Sequence, residues 1–290
     1  MFVGQIGIIL DYRTMDGASK NKNESYIIFT GEERWATLGI FNVNAFPLKL
    51  KSLVSACSTR AAMFLFHVNA LRMSVTTSKS LFVKKLQNNF TETWTQGFVN
   101  SKVNRNMNFI VIYDGLDYLA AFYALLQSLK SLLDVYANLI AKLIHPSAAL
   151  KFSTVTFEGI KISGGNVAKW LKKSAPYTFD NKSLLLEVIV RNSKDWIAQA
   201  VNYRDTLTHY NDIAGIQHMH VMLKRQFPPF NANEIVLPIM PDSQPMTDYC
   251  EGMVCRLSRF LDESLKLLPN VNHNLIKYGS FALPQSGVIL

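Results

Sequence analysis

The sequence predicts a mainly α-helical protein, and three features of its apolar residues support this prediction. Of the 290 residues, 49% are apolar, which is enough to fill one sizeable core or two small ones. After Pro47 the apolar residues recur mostly at steps of three and four, the spacing of a helix with one buried face. Runs that alternate as strands do are short. We therefore expect a helical bundle with a small β-containing N-terminal region and a β-hairpin inserted before the last helix.

Residues 1–47 are predicted to form a β-rich segment. Three short apolar runs in it are separated by Gly, Asn and Asp, residues that favour turns: Gly7–Leu10, Tyr26–Phe29 and Ile40–Val43. We expect these runs to form a small sheet or ribbon.

Residues 48–107 are predicted to form a helical N-terminal region. A first helix after Pro47 carries an apolar stripe made of Leu50, Leu53, Val54, Cys57, Ala61, Phe64, Leu65, Val68 and Leu71. A second, shorter helix follows, with Leu81, Val83, Leu86 and Phe90 on its apolar side. Its expected solvent side carries Lys79, Lys84 and Lys85. These lysines could contact phosphate, although a solvated helix face is the commoner role of such a cluster.

Residues 108–268 are predicted to form a helical domain that a long helix organises. From about Asn108 to Ile144 one broad apolar stripe is sustained, and His145-Pro146 should end it, because the residue before proline is pushed out of the α region. The segment from Phe152 to Ile162 then alternates as strands do around Gly159. The Gly164-Gly165 pair should be a loop, and it lacks the flanking residues that a nucleotide-binding loop needs.

The second half of this domain begins with a helix near Asn181, with a break or kink expected at Asn192-Ser193. In the segment that follows, residues at helical spacing should form a core stripe: Trp196, Ala200, Tyr203, Leu207 and Tyr210. Arg204 lies at the edge of this stripe. Asp205 and His209 are four residues apart on the opposite face, so their side chains can form a hydrogen bond.

A β-hairpin and a last helix complete the predicted domain. Gln217–Leu223 alternates, and a second β-like run, Glu234–Leu237, follows the Pro228-Pro229 turn. His218 and His220 should share a strand face, but no third ligand follows at a zinc-site spacing, so packing is their commoner role. The last helix should begin near Thr247-Asp248 and close the bundle. Residues 269–290 are predicted to be an irregular tail.

Charge and cysteine content indicate the environment of the protein. Its 30 Lys and Arg against 21 Asp and Glu give a formal charge of +9, which attracts polyanions such as RNA, although many basic proteins bind no nucleic acid. The three cysteines, Cys57, Cys250 and Cys255, form no disulfide framework and suit the reducing cytoplasm. Met1–Leu10 lacks the basic region of a secretory signal, and charged residues interrupt the apolar stretch of Phe109–Ile144. We expect a cytoplasmic protein without a membrane span, a bound metal or a cofactor.

The residue types of the Arg204 segment suit RNA cleavage without a metal. That reaction needs a base to take the proton of the 2′-hydroxyl and a cation to offset charge that grows on the phosphate oxygens. Histidine titrates near neutral pH, and arginine stays charged and forks onto phosphate. Arg204 and His209 are five residues apart, about 140° around an ideal helix, so one chain does not readily focus both on one phosphate.

The string Arg204-Asp-Thr-Leu-Thr-His209 resembles the signature of HEPN domains, an arginine and a histidine separated by four to six residues with a polar residue after the arginine. The resemblance covers roughly residues 108–268 and includes the long upstream helix, the Trp-bearing helix and the last amphipathic helix. One departure is that Tyr210 directly follows His209, whereas toxins paired with nucleotidyltransferase antitoxins carry the tyrosine one place later. That particular partnership is therefore not expected.

The resemblance implies a function, a set of site residues and partners. HEPN domains form homodimers in which the two motifs face each other, so Arg204 and His209 of both chains would line one basic cleft, and Asp205 would orient the imidazole. The implied function is a metal-independent endoribonuclease, a toxin or antiviral defence effector with RNA as its substrate and an antitoxin or defence protein as a partner. The alternative is a non-catalytic RNA-binding or protein-interaction module, in which these residues only tie helices together.

Overall fold

The computed structural model describes residues 48–89, 109–173, 179–209, 216, 218–223 and 235–269. Within these ranges the protein is mainly α-helical, as predicted. The predicted N-terminal β-rich segment and residues 270–290 of the predicted tail lie outside the described residues. No helix in the described part of the chain combines the length with the apolar content that a bilayer crossing would demand.

In the described ranges, α-helices of 9 to 42 residues are interspersed with short strands. They are α1 (Leu48–Asn89), β1 (Phe109–Asp114), α2 (Leu116–Ile144), β2 (Thr154–Phe157), β3 (Ile160–Ser163), α3 (Gly165–Lys173), α4 (Lys182–Asn192), a π-helical turn (Ser193–Ile197), α5 (Ala198–His209), β4 (His218–Leu223) and α6 (Met246–Leu265).

Helix α1 is a single helix of 42 residues, so the prediction of two successive helices in this region was wrong. The sequence between Leu48 and Asn89 contains neither proline nor glycine, and nothing local stops the helix. Its buried residues continue at helical spacing past the expected boundary: Val68, Leu71, Val75, Phe82 and Leu86. Burial on this face therefore sustains the helix through the polar stretch that suggested a break.

Strand β1 corrects the predicted start of the long helix. Residues 109–114 are extended and pair antiparallel with β4, with Phe109 opposite Leu223 and Asp114 opposite His218. A short apolar run rich in β-branched residues is compatible with the period of a helix and with that of a strand. Pairing with β4 selects the strand. Helix α2 then begins at Leu116 and ends at Ile144, before His145-Pro146 as predicted, and its 29 residues span about 43 Å.

Strands β2 and β3 lie where the sequence showed β-like alternation around Gly159, and they pair as an antiparallel hairpin. Thr154 is paired with Ser163, and the two turn residues Glu158 and Gly159 both adopt positive φ, 47° and 81°. Two residues of that conformation match the twist of a tight hairpin. The Gly164-Gly165 loop is shorter than expected, because Gly165 already opens α3, a helix that the sequence analysis did not predict.

Gly164 is expected to tolerate no side chain. Its φ is +81°, and a Cβ there would lie 2.4 Å from the buried Phe152 ring. The Gly164→Ala variant should therefore lose more than about 1 to 2 kcal/mol of unfolding free energy, which urea denaturation would measure. Gly252→Ala is the matched control: it lies within α6 with open space around it and should gain up to about 1 kcal/mol. A Gly164→Ala variant as stable as the parent would contradict this account.

The predicted break at Asn192-Ser193 is not a break, because the chain keeps helical dihedral angles through both residues. The irregularity is the π-helical turn, which inserts one wider turn between α4 and α5. The buried Asn192 amide donates to the Val188 carbonyl at 2.9 Å and accepts from Trp196 Nε1 at 3.0 Å. The polar residues that suggested a break are therefore accommodated by hydrogen bonds inside the helix.

Of the predicted hairpin before the last helix, the described residues contain strand β4 and an isolated bridge to Val236. His220 and Val236 exchange two backbone hydrogen bonds, of 3.1 and 2.8 Å, but the main partner of β4 is β1. Helix α6 begins at Met246, one residue before the expected start, which is within the usual uncertainty of a helix end.

The chain divides into two compact units, one made of Met1–Leu65, Ser128–Val201 and Met253–Leu290 and the other of Phe66–Gln127 and Asn202–Gly252. In the first unit, the buried rings of Tyr136 and Phe152 both meet Phe260 edge to face, with centroids 5.8 and 6.3 Å away. Such geometry adds to the stabilisation from burial alone. The second unit holds its own aromatic cluster, described below with the candidate site.

Candidate active site on helix α5

All three predicted site residues lie on the second half of α5. Arg204 is half-buried with 23% of its side chain exposed, Asp205 is 43% exposed, and His209 is the last residue of the helix and is exposed. The helical phase predicted from the sequence is therefore correct for the polar side of α5.

Arg204 and Asp205 form an ion pair between adjacent residues. Arg204 Nε donates to Asp205 Oδ1 at 2.9 Å, and Nη2 donates to the same oxygen. The pair fixes the plane of the guanidinium on the helix surface, since two donors of a rigid fork are held. Because both residues belong to α5, this pair does not tie one helix to another.

The expected hydrogen bond between Asp205 and His209 stays a prediction. The two residues are four apart on one helix, as the sequence analysis stated, but Oδ1 of the carboxylate is engaged by Arg204. Asp205 therefore acts first on the arginine. The resemblance implied that Asp205 orients the imidazole of His209. This role stays a prediction, because Oδ1 of Asp205 already accepts hydrogen bonds from Arg204.

An aromatic cluster holds α5 in place within the second unit. The buried Tyr203 ring meets Tyr249 of α6 edge to face at 5.6 Å, and Tyr249 meets Phe122 of α2 at 6.4 Å. Each such pair adds roughly 0.5 to 1.5 kcal/mol beyond burial. Tyr203, the residue immediately before Arg204, therefore packs on α6, and the Tyr249 ring that it meets packs in turn on α2.

A side-chain hydrogen bond that the sequence analysis missed supports the end of the same helix. Gln127 Nε2 of α2 donates to Thr208 Oγ1 at 3.4 Å, next to His209. The two residues are 81 positions apart in the chain, so no local spacing could have indicated the contact. It attaches the exposed last turn of α5 to α2.

The predicted core stripe of α5 is confirmed for Trp196, Ala200 and Tyr203, which are buried. Leu207 is only half-buried, so its assignment to the core was wrong. Tyr210 lies outside the described residues. Among the described residues of this stripe, burial decreases after Tyr203. The last turn of α5 therefore contributes little to the core.

The remaining histidines and cysteines do not build a second reactive centre among the described residues. His218 and His220 share one face of β4, as predicted, since Met219 and Val221, which alternate with them, are buried on the other face. No group of three His, Cys, Asp or Glu side chains in the described ranges could hold a metal ion.

The buried cysteines are poor nucleophiles. Burial raises the pKa of the Cys57 thiol to about 12 and raises the pKa of Cys250 as well. A thiol attacks only as its thiolate, and this form is scarce at neutral pH when the pKa is raised. Nucleophilic chemistry by these two side chains is therefore disfavoured.

Comparison of the chain with protein-family models, with curated proteins and with solved structures finds no match. The fold defines the protein as mainly α-helical with short antiparallel strands. The resemblance to HEPN domains stays a prediction that rests on the Arg204–His209 string and its helical setting.

Proposed function

We propose that this protein is a metal-independent endoribonuclease that cleaves RNA through attack of the 2′-hydroxyl, and that it acts in the cytoplasm as a toxin or antiviral defence effector. The observation that supports the proposal best is the arrangement on α5. There, an ion-paired arginine and an exposed histidine occupy the same half of one anchored helix.

In the proposed reaction His209 takes the proton of the ribose 2′-hydroxyl. The 2′-oxygen then attacks the adjacent phosphorus, and the bond from phosphorus to the 5′-oxygen of the next nucleotide breaks. The departing 5′-oxygen takes up a proton and becomes a 5′-hydroxyl. The other product ends in a 2′,3′-cyclic phosphate. Because the attacking group belongs to the substrate, neither water activation nor a metal-bound hydroxide is needed for this step.

Arg204 would stabilise the negative charge on the phosphate oxygens as the fifth bond to phosphorus forms. Its guanidinium has five N–H donors, and two N–H groups point at Asp205 Oδ1, so further donors can serve phosphate. Asp205 would keep the fork oriented before RNA binds. An arginine that is already held loses less side-chain entropy when it binds phosphate.

The proposed site is shared between two chains. The five residues from Arg204 to His209 rotate the side chains by about 140°, which does not favour convergence on one phosphate. A homodimer with its motifs facing each other, as in the HEPN resemblance, would bring the arginine of one chain to the histidine of the other. An antitoxin or another protein of a defence system is the proposed restraining partner.

The Arg204–Asp205 pair also supports the alternative function. A carboxylate beside the arginine neutralises part of the charge that would attract a phosphate. In the alternative, the protein is a non-catalytic HEPN-like module that binds RNA or a partner protein. Its formal charge of +9 suits RNA binding in either function.

Cleavage is expected to persist in EDTA and to leave 2′,3′-cyclic phosphate ends. The reason is that the proposed base and cation are both side chains. Purified protein is incubated with total RNA with and without the chelator. The ends of the RNA products are identified by mass spectrometry, or by a 3′-end ligation that fails until a phosphatase able to open the cyclic phosphate has treated the RNA. Strict dependence on a divalent ion, or products with 5′-phosphate ends, would contradict the proposal. Binding without any cleavage would favour the alternative module.

A further inference from the structure

The segment from Lys151 to Lys173, in the first unit, concentrates the positive charge of the chain. It contains five lysines and a single acidic residue, Glu158, so it holds +4 of the formal charge of +9 within 23 of the 290 residues. The five residues on either side of it, 146–150 and 174–178, contain neither Asp nor Glu. Its neighbours in the chain therefore do not neutralise this excess charge.

Three of these lysines and a tryptophan lie on one side of α3 or next to it. Lys169 and Lys173 are exposed one helical turn apart, and the half-buried Trp170 lies beside them in the helical phase. Asn166, on the same side of α3, donates from Nδ2 to the Lys151 carbonyl and accepts from the Ser153 N–H at 2.9 Å. These bonds bring the exposed Lys151 to the start of the same side. We call four residues the α3 face: Lys151, Lys169, Trp170 and Lys173.

The lysines of the α3 face have no ion pair in the described part of the chain. The neighbouring Lys172, by contrast, is paired with Glu158 at 2.5 Å. Lys169 and Lys173 are four residues apart, a spacing at which like charges on a helix repel each other. An anion that contacts both ammonium groups relieves this repulsion, so the α3 face favours a ligand with several negative charges.

The opposite side of α3 restricts which polyanion fits. Val167, Ala168 and Leu171 are buried within the first unit, so α3 has no free apolar side to lay into a membrane. The α3 face itself offers three cations and one indole ring. Single-stranded nucleic acid matches this combination, because lysines contact its phosphates and an aromatic ring stacks on a base. From Asn166 to Lys173 the helix rises about 10 Å, which suits a few nucleotides.

We propose that the α3 face binds single-stranded RNA, with its three lysines on phosphates and Trp170 stacked on a base. The inference does not depend on ribonuclease activity, since an RNA-binding module without catalysis would use the same surface. It names an RNA contact made by residues other than those of the proposed site on α5.

The first test is the affinity for a labelled 2′-O-methyl oligouridine, which lacks the hydroxyl that cleavage needs, measured by fluorescence anisotropy at several salt concentrations. The Lys169→Ala/Lys173→Ala variant should bind at least about 10-fold more weakly. The slope of log affinity against log salt should fall by about 1.4, because each phosphate contact to a single strand contributes about 0.7.

Lys49→Ala/Lys161→Ala is the matched control for this test. It removes the same charge at two exposed lysines of α1 and β3, outside the α3 face, and should leave the salt slope unchanged. A parent that does not bind the oligouridine, or equal losses in the two double variants, would overturn the proposal. Binding to phosphatidylserine vesicles in place of RNA, lost in Lys169→Ala/Lys173→Ala, would assign the surface to lipid and overturn it as well.

Trp170 is tested by tryptophan fluorescence and by replacement. The oligouridine should quench part of the parent's emission, and this part should be absent in Trp170→Phe. That variant keeps a ring and should keep most of the affinity, whereas Trp170→Ala should bind about 10-fold more weakly. Circular dichroism melting checks that both variants fold. Parental quenching in folded Trp170→Phe would exclude Trp170 from the RNA contact.

The same measurements separate the α3 face from the proposed activity. If Lys169→Ala/Lys173→Ala loses affinity as expected and the parent cuts no RNA, the α3 face stands and the ribonuclease proposal fails. If the parent cuts RNA and the double variant binds with the parent's affinity and salt slope, the activity stands and the α3 face is wrong.

Discussion

Replacement of His209 by alanine is expected to lower the rate of RNA cleavage by about 10² to 10⁴-fold, the usual contribution of a general base. His209 is exposed at the last residue of α5, so the same change should alter the unfolding free energy by less than about 1 kcal/mol. The variant would then lose catalytic rate while keeping the stability of the parent. The measurements are the cleavage rate and the urea denaturation curve of the parent and the variant.

Arg204→Ala should differ from His209→Ala in its effect on binding. Arginine contacts phosphate in the ground state as well as in the transition state, so this variant should lose affinity for RNA in addition to cleavage. Arg204→Lys should recover part of the affinity but little of the rate, because an ammonium lacks the fork that the Asp205 pair orients.

Leu207→Ala is the structural control for this helix. Because Leu207 is half-buried, its loss should cost less than the roughly 2 to 5 kcal/mol of a fully buried leucine, and cleavage should persist. If His209→Ala instead melts many degrees below the parent, or cuts RNA at the parent rate, the histidine is a structural residue. The non-catalytic module would then be the better account.

Phe260→Ala is expected to cost about 3 to 5 kcal/mol of unfolding free energy, a large part of the stability of most domains. The Phe260 ring is fully buried and meets both Tyr136 and Phe152 edge to face, so its removal leaves a cavity that two other rings line. Helices α2 and α6 and the segment before β2 pack together at this residue. Urea or thermal denaturation measures the loss.

Leu184→Ala is the control for this second prediction. Leu184 is 52% exposed on α4, and its truncation should change the unfolding free energy by no more than about 0.5 kcal/mol. A loss at Phe260 no larger than that at Leu184 would mean that the aromatic cluster does not support the first unit.

Local sterics determined several elements from the sequence alone. Proline at 146 fixes the end of α2, and Gly159 supplies one of the two positive φ values of the tight turn between β2 and β3. The core side of α5 up to Tyr203 follows from helical spacing. In each case the decisive interaction lies within a few residues of chain, so the sequence carries the information directly.

Only the tertiary structure decided the elements whose energy comes from distant residues. Residues 109–114 could have continued a helix, but β4, more than 100 positions later, supplies the backbone partners that make them a strand. Leu207 has the spacing of a core residue, yet the described part of the chain leaves it half-buried. The spacing of residues in the sequence predicts which side chains share a face. Whether those side chains are buried or paired depends on which other segments of the chain pack against that face.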